Sequence, residues 1–256
     1  MHELVDRWRA CPLTDPPYVL PGDESAHGSR RTFHRYSSFT DFIQSDAFGA
    51  TGDTSLHLGL LPLPYLGDVT GASIYILLLN PGVCPDDYYA ESHHPEYRDT
   101  VVRTLRQENR NAKYPFHFLD PRFSWHAGFG WWHGRLRGIV AQWAAARNLR
   151  YQDALAEVSR RTCALELMPY HSGSFGSHAL LDRLASVRLV RRFVHDVVVP
   201  KARAGSATVV VTRRARDWGL EASDNVVVYG GGETRAAHLG PGTRGGTAIM
   251  RRLESA

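Results

Sequence analysis

The chain has 256 residues, 43% hydrophobic and 22% charged, so it can bury a full core without disulfides or a structural metal. Its net charge is +4, and arginine supplies most of the basic residues, since Lys113 and Lys201 are the only lysines. Arginine suits phosphates and bases, which favours DNA as a partner, although a biased genome composition explains the excess equally well. The spacing of Cys11, Cys84 and Cys163 argues against a zinc ribbon or an iron–sulfur cluster. With no apolar stretch of about 20 residues, the sequence predicts a soluble, cytoplasmic protein without a membrane partner.

Strand-like and helix-like patterns alternate along the chain. Residues 1–60 predict an irregular N-terminal arm with one short helix, followed by a core over 61–256 within a single domain, 1–256. Short continuous apolar runs are typical of buried strands, and apolar residues three to four apart are typical of helices. In chain order the predicted elements are a helix at 38–48, a strand at 72–79, a helix at 95–109, an aromatic-rich loop at 111–130, helices at 131–148 and 151–161, a strand at 162–168, a helix at 177–204, a strand at 207–212, a helix at 213–220, a strand at 224–230, a glycine-rich loop at 230–246 and a helix at 245–255.

This alternation predicts an α/β fold: a three-layer αβα sandwich with a central, mainly parallel four-stranded sheet. Ligands bind such sheets outside the carboxyl ends of the strands. We therefore expect four strand-end segments to form one site: Asn80-Pro81-Gly82, 169–172, Arg213-Arg214 and the loop 230–246.

The segment "LLLNPG" at 77–82 resembles the first motif of the uracil-DNA glycosylase superfamily, in the Asn-Pro-Gly spelling of its mismatch-specific branch. As an order of elements the resemblance spans roughly residues 60–254. It implies the same sandwich fold, DNA as partner and no metal or cofactor. The family's second motif, His-Pro-Ser, is replaced here by "GGGETRAAHLGPGTRGG", where His238 is the one histidine that could stabilise the leaving base.

The resemblance also implies the catalytic groups. Asn80 would orient the attacking water through its side-chain carbonyl, so the site would act by positioning and electrostatics rather than by a strong base. Asp86 and its neighbour Asp87 are the nearest carboxylates and could assist, with a solvated loop or a helix cap as the alternative. Since no lysine lies near a motif, we expect hydrolysis without Schiff-base lyase chemistry.

Two positions bear on the base that would be released. Pro81 and Gly82 would lie against it, and Gly82 stands where the classical branch has a tyrosine that excludes C5 substituents. Glu166 stands where that branch has an asparagine, and a carboxylate accepts from cytosine N4. Together they favour a C5-modified cytosine, as found in some viral DNAs, and hence a defence role. The alternative for Glu166 is a structural charge paired to an arginine.

Other candidates would contact the flipped base or the DNA. His171 and Ser172 precede a predicted helix and could touch a phosphate or the base, or form an ordinary capping loop. Aromatic rings suit stacking on a flipped base, and the candidates are Tyr88, Tyr89, Phe116, Phe118 and Phe123. The arginines predicted to bind DNA are Arg122, Arg213, Arg214, Arg235 and Arg244.

The sequence thus predicts a monomeric, monofunctional DNA glycosylase for base excision. A glycosylase for uracil or mismatched thymine, an N-glycoside hydrolase for free nucleosides or nucleotides, and a catalytically inactive nucleic-acid-binding module stay open as alternatives.

Overall fold

The computed structural model describes residues 2–24, 33–50, 52–176 and 178–255. The helices are α1 (Glu3–Arg9), α2 (Phe39–Ile43), α3 (Pro85–His93), α4 (Pro95–Leu105), α5 (Ala127–Arg147), α6 (Tyr151–Arg161), α7 (Ala185–Phe193), α8 (Val199–Arg203), α9 (Ala215–Trp218), α10 (Glu233–Ala236) and α11 (Arg244–Glu254). The strands are β1 (Phe33–His34), β2 (Leu56–His57), β3 (Tyr65–Leu66), β4 (Ile74–Leu78), β5 (Thr162–Glu166), β6 (Thr208–Val211) and β7 (Val226–Val228).

The chain forms two compact units. The first unit comprises Met1–Pro64, Leu79–Glu108 and Glu166–Arg192, and the second comprises Tyr65–Leu78, Asn109–Leu165 and Phe193–Ala256. Asn80 belongs to the first unit, while the main sheet belongs to the second apart from Glu166, the last residue of β5.

The second unit contains a sheet of order β3-β5-β4-β6-β7. Strands β4 and β6 pair in parallel, as do β6 and β7, whereas β3 pairs antiparallel to β5. Helix α11 packs against β6 and β7, and α8 packs against β6. The α/β class with a mainly parallel sheet is therefore confirmed, and all four predicted strands are present.

The sheet has five strands rather than the four predicted, because β3 adds a short edge. This strand has only two residues, since Pro64 before it cannot donate a ladder hydrogen bond and Gly67 turns the chain after it at a φ of +89°. A Cβ at position 67 would lie 2.3 Å from Thr162 O, so only glycine fits beside β5. A two-residue strand shows no periodicity, which is why the sequence did not reveal it.

The first unit contains two helices that the sequence pattern did not predict. Helix α1 lies inside the predicted irregular arm and buries Leu4, Val5 and Trp8. Helix α3 begins at Pro85, whose fixed φ suits the first helical turn. Residues 25–32 of the arm lie outside the described residues.

The single helix predicted over 177–204 is wrong, apart from Ser177, which lies outside the described residues. The segment forms a 3₁₀ turn (His178–Leu180), then α7, a π-helical turn (Val194–Val198) and α8. Pro200 explains the interruption, because it lacks an amide hydrogen and its ring crowds the carbonyl four residues earlier.

Among the helices of the described residues, none combines the length and the apolar character that crossing a bilayer requires.

Candidate functional site

The Asn80 side chain is held in one orientation. Its Nδ2 lies 2.9 Å from Ser172 Oγ, 2.7 Å from Pro81 O and 3.4 Å from Ser172 O. Because main-chain carbonyls only accept hydrogen bonds, these contacts place the amide NH₂ on this side. The Oδ1 atom is therefore directed away from Ser172 and Pro81, on a half-buried side chain that can accept a hydrogen bond from water.

Residues 171–172, which belong to the same unit as Asn80, hold the Asn80-Pro81-Gly82 turn in place. The Ser172 amide donates to Pro81 O at 3.2 Å. His171 is 3% exposed, with Nδ1 2.7 Å from Gly82 O and Nε2 3.1 Å from Leu61 O. Both ring nitrogens thus face main-chain oxygens, so contact with a bound base would require the ring to move. We assign His171 to holding the turn and Ser172 to orienting Asn80.

Gly82 lies at the surface beside open space. A Cβ at this position would meet no described atom within 4 Å, and neighbouring Pro81 is half-buried. The predicted role of Gly82 toward a C5 substituent stays a prediction.

Asp86 and Asp87 lie in the first turn of α3. The Cys84 amide donates to Asp87 Oδ2 at 2.7 Å, which is the helix-cap alternative raised for these residues. Asp86 is half-buried in the same turn, where negative charge stabilises the positive end of the helix dipole. Its assistance to catalysis stays a prediction.

Glu166 ends β5 as a buried residue, and its amide donates to Pro64 O at 3.0 Å. It belongs to the same unit as Asn80 and Ser172. Its predicted reading of the base edge and its structural alternative both stay open.

The burial of four aromatic residues argues against the stacking role predicted for them. Tyr88 is 2% exposed, and its ring stacks on Phe42 with centroids 4.4 Å apart. Phe116, Phe118 and Phe123 are buried residues of the second unit. The buried rings pack in the protein interior and are not accessible to a base. Tyr89, the other candidate in α3, is 42% exposed and accessible to a ligand.

The arginines predicted to bind DNA all belong to the second unit, and most already have partners. Three form ion pairs with nearby carboxylates: Arg122 with Asp120, Arg214 with Asp217 and Arg244 with Glu233. Arg213 Nη2 donates to the main-chain oxygen of Arg235 at 3.4 Å. The Arg214–Asp217 and Arg244–Glu233 pairs are partly exposed and contribute only about 0–1 kcal/mol each, so exchanging their carboxylates for a phosphate would cost little. Asp120 is buried, so drawing Arg122 away from it would leave a carboxylate in the interior without this partner and would cost more.

His238 is exposed on the second unit, and its main-chain oxygen accepts from the Tyr229 hydroxyl. The structure thus fixes its backbone. The leaving-group role predicted for its ring is untested.

A polar cluster that the sequence analysis missed lies in the first unit. His34 and His57 are register partners across the β1–β2 pair, and Asp53 Oδ2 lies 2.7 Å from His34 Nε2 and 3.8 Å from His57 Nε2. Burial, with the nearby rings of His34 and His171, lowers the pKa of His57 to about 3. His34 and Asp53 also line a cavity of about 680 Å³. Positions 34, 53 and 57 form no metal-binding or catalytic spacing, so the sequence carried no signal for this cluster.

No family model, curated protein or solved structure matches the chain. The resemblance to uracil-DNA glycosylases therefore rests on the "LLLNPG" segment and the order of elements.

Proposed function

We propose that the chain is a DNA glycosylase that hydrolyses the N-glycosidic bond of a flipped pyrimidine, with the three-layer αβα order and the Asn-Pro-Gly motif of the uracil-DNA glycosylase superfamily. The observation that carries the proposal is the orientation of Asn80. Its NH₂ is held by Ser172 and Pro81, which leaves the amide oxygen to hold a water molecule.

The proposed reaction places little demand on a general base. Cleavage of the glycosidic bond gives the sugar oxocarbenium character, so a water molecule already held at the right face can attack once the base departs. An asparagine does not remove a proton at neutral pH, but a fixed amide dipole orients the water without reorganisation during the reaction. Asp86, in the first turn of α3, would add negative potential toward the cation.

The proposed substrate is a cytosine that carries a C5 substituent. The open space at Gly82 would admit the substituent, and the Glu166 carboxylate would accept from the exocyclic amino group. Facing uracil O4, the same carboxylate would be repulsive. Because such bases mark some viral DNAs, the proposed role is defence rather than repair.

Base release measured by mass spectrometry tests the proposal. The full chain would be incubated with duplex and single-stranded DNA that contains uracil, mismatched thymine or C5-modified cytosines, and with the corresponding free nucleosides. Asn80→Ala should cost at least about 2–3 kcal/mol of barrier, a roughly 30- to 160-fold slower release. Asn225→Ala is the matched control, because Asn225 is also half-buried and its Nδ2 donates to Ala202 O at 3.0 Å.

Each outcome separates the candidates. Release of a modified cytosine that is slowed in Asn80→Ala and normal in Asn225→Ala supports the proposal. Release from uracil DNA would remove the cytosine assignment, and release from free nucleosides alone would favour a nucleoside hydrolase. Retained DNA binding with no release from any substrate would leave the chain as a binding module and Asn80 as part of a turn.

A further inference from the structure

Three side chains of the first unit bring one metal-binding atom each to the same place. The two-stranded pairing of β1 with β2 sets His34 opposite His57, so neighbouring strands present the two rings side by side, with centroids 4.8 Å apart. Asp53 comes from the loop before β2. The candidate donor atoms of the three residues all lie within 4.8 Å of one another.

Tyrosine hydroxyls hold the opposite side of each imidazole. The Tyr36 hydroxyl lies 3.1 Å from His34 Nδ1, and the Tyr88 hydroxyl lies 3.0 Å from His57 Nδ1. A hydrogen bond at one ring nitrogen fixes the orientation of a metal-binding histidine and leaves the other nitrogen to the metal. Here both rings direct Nε2 toward Asp53.

The carboxylate is held in the same way. Asp53 Oδ1 accepts from the Ser55 amide at 2.9 Å, so Oδ2 is the atom that faces both histidines. Burial would raise the pKa of Asp53, but the hydrogen bonds from Ser55 and His34 outweigh it and leave the pKa below its ordinary value.

The cavity of about 680 Å³ gives a path to this place. His34 and Asp53 are both part of its wall, together with Tyr36, while His57 is buried behind them. A cation held by the three side chains could therefore exchange with solvent and keep at least one coordination position toward the cavity.

We propose that His34, His57 and Asp53 bind one divalent transition-metal ion of the zinc class. Two imidazole nitrogens and one carboxylate oxygen suit zinc far better than magnesium or calcium, which prefer all-oxygen sites. Tetrahedral ligands at about 2.05 Å from the metal lie roughly 3.3 Å apart. On binding, the 2.7 Å contact between His34 and Asp53 therefore opens by about 0.6 Å, and the 3.8 Å contact between His57 and Asp53 closes by about 0.5 Å. This inference is independent of the proposed glycosylase activity.

Calorimetric titration of the full chain, stripped of metal by a chelator and free of any histidine tag, tests the site with Zn²⁺ alone. We expect one ion per chain and no binding of Mg²⁺ at the same concentration. Asp53→Asn keeps the shape of the side chain but removes its charge, and His34→Gln replaces the ring at a half-buried position. Each variant should weaken Zn²⁺ binding at least 10-fold. His93→Gln is the matched control, because His93 lies on the surface of α3 next to a second histidine, His94.

Titration with Co²⁺ distinguishes metal ligation from a purely structural role of these residues, because the visible absorption of bound Co²⁺ reports nitrogen and oxygen ligands. The proposal is overturned by no stoichiometric Zn²⁺ binding, by binding that survives both Asp53→Asn and His34→Gln, or by binding that His93→Gln abolishes. Far-UV circular dichroism of the metal-free variants separates lost ligation from lost folding. If Asp53→Asn does not fold, His34→Gln decides alone.

Discussion

The buried histidine His117 should make the second unit sensitive to mild acid. Its side chain is 0% exposed in a 3₁₀ turn (His117–Leu119). Burial, with a smaller contribution from nearby His126, lowers its pKa from 6.5 to about 3. Between these values the unfolded chain binds a proton that the folded chain excludes, so the stabilisation is complete above pH 6.5 and is lost as the pH falls toward 3.

The size of the effect follows from that shift. Each pH unit inside the window changes the free energy of unfolding by about 1.36 kcal/mol for one group. From pH 7.5 to 5, His117 should therefore remove about 2 kcal/mol of stability. The variant His117→Gln keeps a polar side chain but no titrating ring, so its stability should fall by about 2 kcal/mol less over the same interval.

Urea unfolding at pH 7.5, 6.5, 5.5 and 5.0, followed by tryptophan fluorescence, measures the difference. Five of the six tryptophans belong to the second unit, so the signal reports the unit that contains His117. At pH 7.5 the His117 ring is neutral in both the folded and the unfolded chain. The difference in free energy of unfolding between wild type and His117→Gln at this pH therefore gives the packing cost alone. The reasoning is refuted if the two stability curves run parallel down to pH 5.

Three further predictions follow from single positions. Gly82→Tyr should block release of a C5-substituted base and spare an unsubstituted one in the base-release assay, with Gly82→Ala as control; equal loss for both bases would contradict the reading of this position. Gly67→Ala should destabilise by more than about 2 kcal/mol in urea unfolding, because it adds a clash with Thr162 O to a positive φ, whereas Gly205→Ala adds only the strain of its φ of +72°. Similar losses for the two would exclude the clash. Ser172→Ala should slow base release about 10-fold and add little to Asn80→Ala, because it removes only the hydroxyl that orients the Asn80 amide; additive losses would separate the two residues.

The main sheet could be predicted because its strands are continuous apolar runs. Strands β4 and β6 present four or five consecutive buried residues, a pattern that a surface helix does not show. Strands β1, β2 and β3 have two residues each, and no periodicity fits into two residues. Their pairing is set by tertiary contacts alone.

Local sequence pattern likewise predicts one part of the candidate site and not the other. The meeting of Asn80 with Ser172 was predictable, because both follow predicted parallel strands. The meeting of His34 with His57 depends on the register of β1 with β2, which no local pattern specifies. Aromatic residues in an irregular segment look alike in sequence whether they face the core or solvent, so the burial of Phe116 and Phe118 could not be inferred from composition.

The burial of His171 constrains how a leaving base could be stabilised. Its ring nitrogens face main-chain oxygens, and the His-Pro-Ser motif of the superfamily that the "LLLNPG" segment resembles is replaced. A cytosine offers another route, because protonation at N3 makes it a neutral leaving group, and a carboxylate beside N3 and N4 favours that protonated form. On the proposed function, Glu166 would then select cytosine and assist its departure at once. Glu166→Gln should keep binding of DNA that contains the modified base but slow its release, and an unchanged release rate would return Glu166 to a structural role.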